Sequence, residues 1–356
     1  APNIRFFVDN GVKGVFEQGA YQSPGGEFAH LKAWMLAKLL WDPSRDTRAL
    51  IDEFVNGYYG DAAPFIRQYI TRLHDAAEET GYYLRISGNL NAPYLNLDLM
   101  GEAWSLFDQA EAAVADDAEM LSRVQVARLP VRYVWAMRWE QFRAEARAQG
   151  IEWPGPDDYA QNAETFMEIA KANDITNIAE GRSIDTFAAR TVDLGRTESP
   201  PPPGVEEIAD ERWIDMQDYG MRLAHEGTWA ELAHDDAASD AVAVRMPGDH
   251  YEWAIQRDLS GTVDEGATYS VYASIRVDAT AEEGLAFSAG VYDRANRTGV
   301  GGIKVNLEDI EGEGYQTYKI AEAPLTGQMY IWVAPPKRPG EVQAVWVDRM
   351  WLVRED

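Results

Sequence analysis

Apolar residues recur every three or four positions through the first half of this chain and at alternate positions through much of the second, and the change falls at a run of prolines. Phe28, Leu31, Met35 and Leu39 share one helical face, widened by Trp34 and Leu36. Asp42-Pro43 ends it, because the residue before a proline avoids helical geometry. Asp46 is placed to cap a second helix carrying Leu50, Ile51, Phe54 and Val55. Asp61 is placed to cap a third, with Phe65, Ile66, Tyr69, Ile70 and Leu73 inward and Gly81 at its end. Further helices are predicted over 97–114, over one long span 117–148 that Pro130 should kink, and over 157–172. The stretch 82–95 is irregular and reads as a loop, and the helical pattern ends near Leu194.

Before these helices, Ile4, Phe6, Phe7 and Val8 predict a helix end or short strand. Val12 to Phe16 then predicts a buried strand, closed by Gly19 and the turn Ser23-Pro24-Gly25-Gly26. One strand that delivers Glu17 and Gln18 to its C-terminal end, followed at once by a helix, reads like the last unit of a (β/α)8 barrel. A whole barrel of that type takes about 250 residues, so only one unit fits before the chain turns purely helical. Beyond Ser199-Pro200-Pro201-Pro202-Pro203-Gly204, period-two alternation over 269–277, 286–292, 317–320, 329–333 and 345–353 predicts an antiparallel sandwich. Pro247-Gly248-Asp249 and Asp293-Arg294-Ala295-Asn296 are its turn signals. The predicted fold class is α+β and multidomain. It comprises a barrel-end remnant (1–45), a helical domain (46–197), a semi-rigid proline linker (198–204) and a β-sandwich (205–356).

Composition narrows the function. Net charge is −27 over 356 residues, which argues against nucleic acid and anionic membranes as partners. With no cysteine, disulfides, thiolate nucleophiles and Cys-based zinc sites are excluded. No apolar run of about 18 residues predicts a membrane span, and Ala1-Pro2-Asn3 is not the start of a signal peptide. Twelve Trp and seventeen Tyr are many; most are expected to pack cores and domain interfaces, and aromatic faces also stack on sugar rings.

Glu17 and Gln18 are the leading site candidates, with Tyr21 just after them as a stacking ring. A buried carboxylate there can act as acid or base, or accept hydrogen bonds from sugar hydroxyls; the competing reading is a loop anchor. Glycosidases use a pair of positioned carboxyl groups. Glu78-Glu79, Asp116-Asp117, Glu206-Glu207 and Asp235-Asp236 instead fall in polar helix ends and loops, so no catalytic residue is assigned. The histidines show no metal-ligand spacing, no phosphate loop is present, and no cofactor or metal is expected. Gly299 to Gly302 suits a hairpin loop. Trp213, Trp229, Trp253, Trp332, Trp346 and Trp351 suggest sugar stacking, although strand-borne tryptophans more often fill a core.

Val345-Trp346-Val347-Asp348-Arg349-Met350-Trp351-Leu352-Val353 resembles the closing strand of jelly-roll carbohydrate-binding modules, where an Asp often serves a structural calcium. Asp348 with an early acid such as Asp210 would fill that role, against the simpler reading of a hydrogen bond to a neighbouring strand. Residues 10–19 (Asn-Gly-Val-Lys-Gly-Val-Phe-Glu-Gln-Gly), 31–43 (Leu-Lys-Ala-Trp-Met-Leu-Ala-Lys-Leu-Leu-Trp-Asp-Pro) and Tyr58-Tyr59-Gly60 resemble a bacterial family. It is the former domain of unknown function 4838, from which glycoside hydrolase family 163 was defined. The likeness covers about the first 75 residues well. It implies a secreted or periplasmic barrel enzyme of endo-β-N-acetylglucosaminidase type acting on N-glycans. It also implies a glycan or polysaccharide as partner, and puts residues 13–19 at the last barrel strand. The family's catalytic carboxylates lie on earlier strands, so the resemblance gives Glu17 only a subsite position. It further implies a missing N-terminal barrel segment as a partner and no hydrolytic turnover by this chain alone. The alternative is a non-catalytic glycan-binding or structural accessory protein.

Overall fold

The computed structural model describes residues 2–20, 22, 24–84, 90 and 92–355. The chain forms two compact units. The first comprises Ala1–Trp139 and Trp153–Ala189, the second Glu140–Glu152 and Arg190–Asp356. The expected boundaries at 45/46 and 197/198 are therefore not where the units divide.

The first unit is helical: α1 (Pro2–Asp9), α2 (Ala29–Trp41), α3 (Thr47–Tyr59), α4 (Ala63–Glu79), α5 (Leu97–Ala113) and α6 (Ala118–Met137). After α7 (Trp139–Gln149), which lies almost wholly in the second unit, come α8 (Tyr159–Ala172), the two-stranded β1 (Asn177–Ala179) and β2 (Arg182–Ser183), and α9 (Ile184–Ala188). Asp46 caps α3 as its sequence predicts, accepting from the Ala49 amide at 2.7 Å. Asp61 does not cap α4: it falls inside a 3-10 turn, Gly60–Ala62, and α4 starts a residue later with Pro64 in its first turn, where a missing N–H costs nothing. The span 117–148 is two helices. The chain passes through Pro130 without ending α6 and breaks at Arg138, whose φ of −125° leaves the helical region. The Arg138 guanidinium instead donates to the carbonyls of Leu90 and Leu95. At the centre of this unit Trp135 is fully buried, edge-on to Trp104 and Trp153. Gly155 lies against its indole, where a Cβ would come within 2.6 Å of the ring.

The predicted barrel strand is absent. Residues 13–19 form no strand, every one of them is exposed, and Phe16 is 89% exposed. A strand needs a neighbour to satisfy its backbone groups, and no strand of the described residues lies beside this segment. The loop expected over 82–95 falls partly outside the described residues.

The second unit is an antiparallel sandwich of β3 (Trp213–Gln217), β4 (Arg222–Leu223), β5 (Glu231–His234), β6 (Val242–Pro247), β7 (Ile255–Asp258), β8 (Thr268–Ala279), β9 (Leu285–Asp293), β10 (Thr298–Asn306), β11 (Gln316–Pro324), β12 (Met329–Ala334) and β13 (Val342–Arg354). One sheet has the order β10-β9-β12-β7-β4; the other has β11-β8-β13-β6-β5, with β3 on β13 as well. Their inner faces meet in one core, built on Val271, Ala273 and Ile275 of β8, Phe287, Ala289 and Val291 of β9, Ile331 and Val333 of β12, and Val345, Val347, Met350 and Leu352 of β13. These alternate positions are the period-two signal in the sequence.

Two sequence expectations change here. Gly299 to Gly302 is not a hairpin loop but part of β10, an edge strand. A Cβ at Gly301 would meet that of Ala321 at 2.8 Å, and one at Gly302 would lie 2.7 Å from the Ala289 carbonyl, so close packing holds glycine there. The turn itself is the preceding Asp293 to Asn296, where the Asp293 carboxylate accepts from the Ala295 and Asn296 amides. The proline run is not a free spacer either. Pro202 is buried, the Arg349 guanidinium donates to the Pro200 carbonyl at 2.6 Å, and Ser199 is hydrogen-bonded to Ser239 and Gln217. Just before it, buried Arg196 pairs with Asp218 (2.6 Å) and Asp240. Residues 190–204 are thus a strap bound to the six-stranded sheet.

Candidate functional site

The sandwich has two outer faces, and the six tryptophans singled out above sort between them and the core. On the six-stranded sheet, Trp213 (3% exposed) and Trp351 (1%) are buried with Val205 and Val353, half-buried Ile208 packing against them. Tyr272 stacks on Trp351 at 5.4 Å and 14°. Trp346, further along the same face, donates its indole N–H to Asp278 at 2.7 Å and lies under the Arg276 guanidinium, 4.7 Å from the ring centre. Trp229 packs against the core, edge-on to His225 at 4.1 Å and stacked on His250. Trp213 and Trp351 thus offer no free ring face, while Trp229 and Trp346 are half-buried.

The outer face of the five-stranded sheet is different. Antiparallel register puts cross-strand partners on one face, so the side chains can be read in rows. One row runs Arg222–Gln256–Trp332–Gly290–Gly302 across all five strands. The next, toward the Asp293 turn, runs Asp258–Tyr330–Tyr292–Gly299. On the other side lies Ala334–Ser288–Lys304. Ile331 and Val333 between these positions point into the core, which fixes the phase of the rows.

Four aromatic rings converge there. Trp253, one residue before the buried Ala254 that leads into β7, stacks parallel on Trp332, with centroids 4.3 Å apart and planes 8° apart. Tyr292 meets Trp253 at 5.4 Å and Tyr330 at 5.5 Å. Both indoles remain half-exposed. Gly290 makes the arrangement possible: a Cβ there would lie 2.7 Å from Cζ2 of Trp332, so the indole rests on bare backbone. With Gly302 beside it in the same row, the strip next to the rings has a side-chain-free floor. Gln256 is turned toward the Trp253 carbonyl, to which its amide donates at 3.4 Å.

Charge on this face is mostly basic. Arg294 sits over the Tyr330 ring at 4.6 Å and pairs with Asp258. Burial raises the Tyr330 hydroxyl above its ordinary pKa; Arg294 and Arg222 oppose that shift and Tyr292 adds to it, so both cations lie within electrostatic reach of the ring. Aromatic faces beside amide and guanidinium donors are the elements that hold a sugar: the ring's C–H face packs on an indole while its hydroxyls find polar groups at the edge.

The sequence-derived candidates fall elsewhere. Glu17 and Gln18 are exposed, and neither makes a hydrogen bond or ion pair among the described residues; Tyr21 lies outside the described residues. Asp348 does not join Asp210. Its carboxylate accepts from the Ser239 amide (3.0 Å) and hydroxyl (2.7 Å), which is the neighbouring-segment hydrogen bond rather than the calcium role, and Asp210 is exposed. Among the described residues no group of acids and histidines is arranged to hold a metal ion, and no helix is long and apolar enough to cross a membrane. Sequence reasoning named Trp253 and Trp332 but missed Tyr292, Tyr330 and Gln256. The available signal was the alternation of Gly290 with Tyr292 and of Tyr330 with Trp332, which shares one phase on adjacent strands.

The fold and this face together describe an antiparallel β-sandwich with an aromatic platform, following a helical unit. Residues 1–71 match the family model described as a domain of unknown function, DUF4838. No curated protein matches the chain. Among solved structures, the chain is similar to a CBM22 xylan-binding domain of Paenibacillus barcinonensis Xyn10C (10% identity, TM-score 0.28, covering 40% of this chain and 92% of that one). It is also similar to a carbohydrate-binding module from Cellvibrio mixtus lichenase 5A in complex with cellotriose (8%, TM-score 0.27, 40% and 97%). A third is TmCBM61 in complex with β-1,4-galactotriose (14%, TM-score 0.27, 45% and 100%). Likeness at this level assigns neither a site nor a ligand to this chain.

Proposed function

We propose that the second unit is a glycan-binding module and that the outer face of its five-stranded sheet is the binding surface. The observation that carries this is the half-exposed Trp253–Trp332 stack, seated on Gly290 and flanked by half-exposed Tyr292 and buried Tyr330, in a sandwich whose other outer face has Trp213 and Trp351 buried. The mechanism is adsorption without chemistry. A pyranose ring packs its C–H face on an indole or tyrosine ring, Gln256 and the arginines exchange hydrogen bonds with its hydroxyls, and the glycine strip leaves room for the next sugar along the sheet. The test is calorimetry of the full chain across a panel of oligosaccharides. Trp332→Ala and Trp253→Ala are expected to abolish binding with the fold retained by circular dichroism, and unchanged affinity in both variants would exclude this face.

A second reading concerns the first unit and is favoured by Phe16 and Trp41, which are 89% and 92% exposed. In it, these residues dock on a barrel segment of a secreted or periplasmic glycoside hydrolase, of endo-β-N-acetylglucosaminidase type. Glu17, Gln18 and Tyr21 then border the substrate, and the catalytic carboxylates come from that segment. Activity on N-glycans that appears only when such a segment is supplied, and falls with Phe16→Asp, is the expected result. Turnover by the 356 residues alone would defeat it.

A further inference from the structure

We propose that the Trp253–Trp332 face takes a glycan bearing carboxylates, that is, a pyranose of the uronic-acid class, whose carboxylate is equatorial. This rests on the glycan-binding reading above and names its substrate class. The chain as a whole carries −27, yet the charged side chains in the three rows of this face are Arg222, Lys304 and Asp258, with Arg294 beside them. Asp258 is matched by Arg294. Arg222 and Lys304 are exposed, and neither makes an ion pair among the described residues.

Their placement suits a ligand held on the rings. Arg222 is two strands from Trp332 in the same row, and Lys304 is two strands from Ala334 in the adjacent row. With strands about 4.8 Å apart, each cation's Cα lies about 10 Å from β12, on opposite sides of it. A ring stacked on the aromatic cluster therefore has a cation within side-chain reach on either side along the row. The carboxylate of an acidic pyranose, when equatorial, projects near the plane of the ring. Stacking the ring on an indole thus turns that group sideways along the sheet, toward Arg222 or Lys304, and not out into solvent. A guanidinium receives it through two parallel charge-assisted hydrogen bonds, which a neutral hydroxymethyl cannot replace. Long-range repulsion from the rest of the molecule does not cancel this, since at about 0.15 M salt charges beyond roughly 8 Å are largely screened.

The experiment is calorimetry of the full chain at physiological ionic strength with two matched pairs: an oligogalacturonide against its carboxyl-reduced form, and sialyllactose against lactose. The charged member of the uronate pair is expected to bind at least about tenfold more tightly, a difference of 1.4 kcal/mol. A preference confined to the sialate pair, whose carboxylate is axial, would overturn the in-plane geometry. In the double variant Arg222→Gln, Lys304→Gln, the charged-to-neutral ratio should fall to about one. Equal affinity within both pairs overturns the proposal, as does a preference that survives the double variant. So does binding confined to neutral glycans elsewhere in the panel, which leaves the platform reading intact. Absence of binding to every glycan overturns both.

Discussion

The two outer faces of the sandwich carry the same kind of residue at the same kind of position. On β13, Trp351 points away from the core, as Trp332 does on β12, and each has a partner ring stacked on it, Tyr272 and Trp253 respectively. Their fates diverge because of what lies above. Val205 and Ile208, which follow the strap 190–204, close over Trp351 and Trp213, and Arg349 and Arg196 fasten that strap through the Pro200 carbonyl and the Asp218–Asp240 pair. No such segment among the described residues covers Trp332, and bare Gly290 and Gly302 continue its row to the sheet edge. An outward aromatic on a sheet is thus a structural or a recognition residue according to its roof. The roof is set by chain far away in sequence, 143 residues before Trp351 at Ile208 and further for the strap's anchors.

This contrast is most directly broken by truncating one ring from each face. Trp351→Ala empties a fully buried site and is expected to cost about 3–5 kcal/mol, read as a lowered midpoint in chemical denaturation of the full chain. Trp332→Ala should cost far less stability and lose the glycan. A chain has two units and can show two transitions, so the Trp351→Ala shift also identifies which transition belongs to the sandwich. If the two variants exchanged roles, with Trp351→Ala abolishing binding in a stable protein, the assignment of roofed and open faces would be reversed.

Glu140 tests the roofed side. It opens the segment Glu140–Glu152 that joins the sandwich unit, its amide donates to the Tyr219 hydroxyl at 3.1 Å, and Arg143 of the same helix pairs with Glu198 of the strap. Burial pushes the Glu140 carboxyl up to about 7, with nearby Asp215 adding to the shift and Arg147 and Arg143 opposing it. The folded-state pKa is raised above the unfolded one. The associated stability is therefore fully present below about 4.5 and is lost as pH rises through 7, by up to about 3 kcal/mol. Glu140→Gln should remove that loss, so that variant and unsubstituted chain approach each other near pH 5.5 and separate by pH 8.5, the variant being the more stable. Urea midpoints across that range decide it; parallel curves would mean that Glu140 ionises as freely in the fold as outside it.

On the open side, Gly290→Ala sharpens the comparison at smaller cost. The added methyl would sit 2.7 Å from the Trp332 indole, which must lift and carry Trp253 with it. About 1–3 kcal/mol of overpacking is expected, with weakened glycan binding and a changed near-ultraviolet tryptophan signal. A variant with unaltered near-ultraviolet spectrum and affinity would show that the stack does not depend on the bare backbone beneath it.

Much of the fold was legible in the sequence where one physical signal acted alone. Strands β8, β9, β12 and β13 are long and alternate cleanly because one face is core, and Asp46 caps its helix with its own carboxylate. Short β4 and glycine-rich β10 carry too few side chains for a period to show. Trp346 and Trp351 illustrate a subtler failure. Five residues apart, they would face opposite ways on a regular strand, but a bulge between Val347 and Arg349 resets the phase and brings both to the outer face. The candidate site was half legible: Trp253 and Trp332 stood out by residue type, whereas their exposure depended on where the strap lies, which no local pattern encodes. Residues 13–19 failed for the converse reason, since a short apolar stretch closed by glycine makes a strand only where a neighbouring strand supplies hydrogen bonds.

The smallest expected effect concerns the strap's outer fastening. His234, on edge strand β5, is exposed, yet both ring nitrogens face acceptors: Nδ1 lies 2.8 Å from the Leu194 carbonyl and Nε2 lies 2.9 Å from the Asp236 carboxylate. Only the protonated ring donates to both, so the hydrogen bond to Leu194 and then that to Asp236 raise the His234 pKa, with burial acting weakly against them. A raised folded-state pKa means that this fastening is complete below the unfolded histidine's value near 6.5 and is released as pH climbs through the folded one. His234→Gln keeps one donor and has no proton to lose. It should therefore flatten a small fall in the sandwich midpoint above about pH 6.5 while leaving glycan affinity on the opposite sheet untouched at every pH. A nuclear magnetic resonance titration of the imidazole measures the shift directly, and a His234 that titrates at or below the ordinary histidine value would detach it from the strap. A glycan affinity that followed this titration would be the more serious result, because it would mean that the roofed face and the open face do not act independently.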